Sequence, residues 1–125
     1  MIERIPEAHR DAFERLLARD LVPETSLLAD VDAHLQTILD LEERTGRGID
    51  LRHAEALADR SRVLLRGVTG MTSEDDRRAI QAAVRYFLDA SDGDRDFQPG
   101  GLVDDVQVMN AVVSSMLRTD LLIPL

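Results

Sequence analysis

The chain has 125 residues, of which 44% are apolar, no cysteine, and a formal net charge of −9 at pH 7. That length suits one domain with one ordinary core, and the lack of cysteine excludes disulfides, thiolate metal sites and a thiol nucleophile. The acidity argues against nucleic acid or an anionic membrane as a direct partner, because phosphate contacts need clustered cations.

All 15 basic residues are arginine, and 16 Asp stand against 8 Glu. With three Phe, one Tyr and no Trp, the core is expected to be aliphatic. The first residues, MIERIPEAHRDAF, hold neither an apolar run nor a cleavage site, so no signal peptide is expected. No apolar stretch approaches the roughly 18 residues that a bilayer-spanning helix needs. A cytoplasmic setting fits these features.

Five segments carry helical periodicity. The first covers residues 6–20, with Pro6 suited to a first helical position and Ile5, Ala8, Ala12, Phe13, Leu16 and Leu17 spaced by threes and fours. The second covers 24–44. Thr25 or Ser26 can cap it, Leu28, Val31, Leu35, Ile38 and Leu39 line one face, and Gly46 stops it. His34 falls beside that apolar face, where a boundary role is expected. The third covers 51–66, with Asp50 as N-cap and Gly67 just past its end.

The fourth covers 74–89. Ser73 caps it, and Glu74, Asp75 and Asp76 fill a first turn where the helix dipole favours negative charge. Its buried stripe is expected to be Ile80, Ala83, Val84, Phe87 and Leu88, with Tyr86 at the core edge. Arg77 and Arg78 are expected to pair with the preceding acids on an exposed face. The fifth begins at about residue 102 or 104 and ends near 118, with Val106, Met109, Val112, Val113 and Met116 on one side. No segment alternates with period two for long enough to be a strand. The expected fold is an all-α bundle of about five helices in a single domain over residues 1–125, with an acidic loop before the last helix.

That loop, residues 89–105, holds Asp89, Asp92, Asp94, Asp96, Asp104 and Asp105 against Arg95 alone. Asp92, Asp94 and Asp96 alternate as the oxygen ligands of a calcium loop do. An EF-hand counted from Asp92 needs glycine at its sixth position and glutamate at its twelfth, where this chain has Phe97 and Val103. Turn and capping chemistry accounts for the same residues. On that reading Phe97, Pro99, Gly100 and Gly101 form an anchored bend, and Phe97 pins the loop to the core. The apolar stretch 121–125 is expected to pack against the bundle or to face a partner; the six aspartates, with Leu122 and Ile123, are the expected contact residues on the latter reading.

Catalytic constellations are not assembled. Arg4 with His9, and Arg47 with His53, match by spacing the Arg-His motif of small helical ribonucleases. However, Pro6 interrupts the first pair and a glycine-containing loop the second. No serine sits in a nucleophile elbow, and Gly67-x-x-Gly70 is too short for a phosphate loop. No enzymatic activity and no cofactor are expected.

Residues 80–113 contain Tyr86-Phe87-Leu88, then Asp92, Asp96-Phe97, Pro99, Gly100-Gly101-Leu102 and Asp104-Asp105 in that order. This run resembles the YkvA-type domain of unknown function, a small helical bacterial family. The resemblance implies a helical hairpin with the Asp-Phe-x-Pro turn docked between its helices, and it lends no chemistry. Residues around the first Asp and after Phe97 are polar here where the family is apolar, which weakens any membrane association.

The expected function is therefore a non-enzymatic interaction or regulatory module with a protein partner. Leu27, Leu41, Val63 and Val108, off the main stripes, would serve a homodimer. An acidic antagonist of a basic partner is a second reading, and divalent-cation binding by the 89–105 loop a third.

Overall fold

The computed structural model describes residues 2–89 and 101–125. Five helices run in the expected order: α1 (Glu7–Leu17), α2 (Glu24–Thr45), α3 (Leu51–Arg66), α4 (Glu74–Leu88) and α5 (Val103–Ser115). Single 3₁₀ turns precede α1 (Ile2–Arg4) and follow α5 (Thr119–Leu121), and no strand occurs among the described residues. The protein is an all-α bundle.

The caps show why the helices begin and end where they do. Asp50 accepts the His53 amide at 3.2 Å and opens α3; Ser73 accepts the Asp76 amide at 3.1 Å and opens α4. Gly46 ends α2 at φ 58°, a left-handed conformation that favours glycine, and its N–H donates to Glu42 O at 2.8 Å. Two expectations shift. Pro6 and Pro23 occupy the N-cap positions of α1 and α2, so neither Thr25 nor Ser26 caps α2. The Ser26 hydroxyl instead donates to Pro23 O at 2.9 Å.

α4 is the hub, packed against α1, α2, α3 and α5. Residues 79–87 are all buried, so α4 presents no solvent face along that stretch. Three alanines, Ala79, Ala82 and Ala83, keep its girth small enough for neighbours to close in from every side. Leu88, expected in the stripe, is only half-buried.

The polar residues of α4 also reach the α1–α2 connection, which adds to the expected pairing with the preceding acids: Arg78 keeps Glu74 at 3.7 Å, and both arginines are half-buried. Arg77 grips Glu24 with two bonds, Nε to Oε2 at 2.7 Å and Nη2 to Oε1 at 3.0 Å. Arg78 Nη1 donates to Leu17 O and Arg19 O, at 3.2 and 3.0 Å. Gln81 is 1% exposed; its Nε2 donates to Val22 O at 2.8 Å and its Oε1 accepts the Val22 amide at 3.2 Å. Arg85 Nη2 donates to Asp20 O at 2.9 Å. Residues 77, 78, 81 and 85 fall within about 100° of arc on a helix. They form one ladder that holds the α1–α2 connection by its own backbone.

α2 buries Leu27, Val31 and Ile38, and its inner face is rotated relative to the expected stripe. Leu28 and Leu35 lie at the margin of the core. His34 falls on the inner line (27, 31, 34, 38) rather than beside it. Its ring meets Phe87 edge-on at a centroid distance of 4.8 Å and 84°. The proposed dimer residues change role too: Leu27 and Val108 belong to the core, Leu41 packs against it, and Val63 stays at the surface.

Candidate functional site

Three features compete for a functional role: the flanks of the acidic segment, the outer face of α2, and the stretch after α5. Asp92, Asp94, Asp96, Phe97, Pro99 and Gly100 lie outside the described residues. Of the described ones, Gly101 is half-buried and leads into Leu102, which is fully buried at the start of α5.

The described carboxylates of the segment meet different neighbours. Asp89 caps the end of α4 in an extended conformation. With Arg19, Arg85, Ser26 and Asp30 it lines a cavity of about 380 Å³ beside the α1–α2 connection. Asp104 and Asp105 stand in the first turn of α5, where the dipole favours them. Asp104 Oδ1 lies 3.4 Å from His9 Nε2, and the His9 ring meets Tyr86 edge-on at 6.2 Å and 71°. Asp105 points into the bundle and is 4% exposed. Thus Asp104 ties α5 to α1, and Asp105 is no surface contact. Among the described residues no group of three or more His, Asp or Glu could hold a metal ion.

His9 lies inside α1 and His53 in the first turn of α3, whereas Arg4 is in the 3₁₀ turn and Arg47 in the α2–α3 loop. His9 turns to Asp104 and His53 to Asp50, so neither histidine is engaged by the arginine of its motif.

The described arginines fall into two groups: Arg4, Arg15, Arg19, Arg44, Arg47, Arg52 and Arg66 are exposed, and the others are held by the chain. Arg77, Arg78 and Arg85 serve the ladder described above. Arg10 donates to Ile5 O and Glu3 O, Arg60 to Leu121 O and Asp59, Arg62 to Asp32, and Arg118 to Asp120. Seven arginines are therefore fastened to the chain's own carbonyls and carboxylates.

The acids concentrate on α2. From residue 24 to residue 43 the sequence has six acids and no arginine. Glu24 is held by Arg77, whose hydrogen bond lowers its pKa below the ordinary carboxylate range. Glu42 folds onto the next loop, accepting the Gly48 and Ile49 amides at 3.0 and 2.7 Å. Asp40 and Glu43 stay exposed on the outer face, Asp30 is exposed on the flank beside the α1–α2 connection, and Asp32, also exposed, is paired with Arg62. This acidic face is missing from the expected site residues. A helical projection of residues 24–43 shows it, but the denser run of aspartates at 89–105 draws the eye.

The stretch after α5 is docked. Leu121 and Ile123 are buried in the groove between α3 and α5. Asn110 on α5 donates to Ile123 O at 2.9 Å and accepts the Ile123 amide at 2.8 Å. Arg60 Nε on α3 donates to Leu121 O at 3.2 Å, and His53 Nε2 lies 3.2 Å from Pro124 O. His53 Nδ1 is 3.0 Å from Asp50 Oδ2. Ile123, expected as a contact residue, is in the core; Leu122 and Leu125 remain exposed.

No protein-family model matches the chain, and neither the curated proteins nor the solved structures contain a match. Among the described residues, no helix is long and apolar enough to cross a membrane.

Proposed function

We propose that this chain is a non-enzymatic interaction module whose acidic α2 face docks a basic protein. The observation that carries the reading is the concentration of acid along α2: from residue 24 to residue 43 there are six acids and no arginine, and Asp30, Asp40 and Glu43 are exposed. A face of one sign accelerates encounter with an opposite partner and makes association sensitive to salt. An antagonist of a basic protein is one form such a module takes.

α4 and α5 flank the acidic segment and pack against each other, as a hairpin of the YkvA type would require. That resemblance speaks to architecture and leaves the partner to the α2 face.

The test compares the chain with D30N/D40N/E43Q as baits. A partner held by the parent chain, released by raised salt and lost from the triple variant supports the reading. A partner held equally by both, or insensitive to salt, overturns it.

A further inference from the structure

The backbone reverses after α5 at Leu117, which takes a left-handed φ of 59° while its side chain is 86% exposed. Its N–H donates to Ser114 O at 3.0 Å, and the Arg118 N–H donates to Val113 O at 2.8 Å. These two bonds form the helix-ending motif in which glycine is the usual residue at the left-handed position. A leucine there carries a conformational penalty, and its exposed side chain recovers little by burial. The strained turn folds residues 118–124 back into the groove between α3 and α5.

We infer that this groove is an exchangeable socket, which takes residues 121–124 of a second copy of the chain, with Leu117 as the hinge. The occupant's chemistry is already defined by the segment now seated there. The groove buries Leu121 and Ile123, and Asn110, Arg60 and His53 reach backbone atoms of the segment. The same segment from another copy satisfies every one of these contacts, as exchange of an identical element requires. Opening also relieves the turn. Met116, Leu117 and Arg118 are good helix formers. Extending α5 through them replaces the left-handed residue with a helical one and carries Leu121 and Ile123 away from their own groove. Two open copies then cover each other's apolar residues. This inference rests on the tail and its hinge and is independent of the acidic α2 face.

The test is light scattering on the full chain at micromolar and millimolar concentrations, after gentle warming to let the hinge open. A dimer is expected at the higher concentration. Leu117→Gly removes the penalty of the closed turn and disfavours the extended helix, so it should lower the dimer fraction about tenfold. Leu117→Ala keeps the left-handed penalty and favours the helix, so it should preserve the dimer. Both substitutions are at an exposed site and leave the core intact. In dimers mixed from isotope-labelled and unlabelled chains, the contact between the Asn110 side-chain amide and Ile123 should run between copies. A chain that is monomeric at every concentration, a dimer indifferent to Leu117→Gly, or an Asn110–Ile123 contact confined to one copy would overturn the inference.

Discussion

α2 and α4 make opposite uses of the same kinds of residue. α4 carries Arg77, Arg78, Gln81 and Arg85, yet these side chains turn to the α1–α2 connection, and residues 79–87 are all enclosed. α2 is longer and buries only Leu27, Val31 and Ile38, with carboxylates on its outer face. The difference teaches that polarity does not by itself mark a solvent face. A donor-rich side chain beside a connecting segment is an anchor for unpaired backbone carbonyls. An acid on a peripheral helix without a cation beside it is available to a partner.

If α4 is the hub, damage there must cost most. Phe87 is fully buried and meets His34. Phe87→Ala should lower stability by about 3–5 kcal/mol, measured by urea denaturation. A loss below about 1 kcal/mol would mean that the site collapses freely and that α4 is not the centre of packing.

Gln81→Leu isolates the polar role of α4 from its apolar one. It keeps the bulk but leaves the half-buried Val22 amide without its acceptor and takes a donor from Val22 O and from Glu24. A cost of about 1–3 kcal/mol is expected. An unchanged midpoint would show that the connection is held without the ladder.

His34 sharpens the contrast from the α2 side. Burial pushes its imidazole below the ordinary value of 6.5, and a hydrogen bond with the Phe87 backbone opposes this only in part. The folded state thus disfavours the proton that the unfolded chain accepts. Stability is full above about 6.5 and falls as pH drops from there toward the lowered folded value, at no more than about 1.4 kcal/mol per pH unit for one proton. His34→Leu should remove this contribution, seen as a flatter stability profile between neutral and mildly acidic pH. An identical slope in both chains would place the titration elsewhere.

The helices themselves were legible because each carries its own punctuation. Asp50 and Ser73 open α3 and α4, Gly46 closes α2, and the threefold and fourfold apolar spacing supplies the rest. What periodicity missed was three-dimensional. Gln81 and Arg85 lie on what a helical projection makes the polar side of α4, and only the path of the α1–α2 connection reveals that this side is covered. His34 disguised the true inner face of α2, because a polar residue stands where the repeat calls for an apolar one. Ile123 is expected as a contact residue because the C-terminal stretch is apolar, and the sequence does not show that Leu117 turns it back. The candidate site was the least legible part. Of the aspartates expected to act together, Asp104 faces His9 and Asp105 is buried, while the outward acids of α2 are spread over several helical turns.

The central claim is that the outer carboxylates of α2 serve recognition and not folding. The most direct measurement is the dissociation constant for the captured basic partner as salt is raised, with the parent chain and D30N/D40N/E43Q side by side. The variant should unfold within about 0.5 kcal/mol of the parent and bind at least about tenfold more weakly, with a shallower dependence on salt. Equal affinity and equal salt dependence in the two chains would contradict the account.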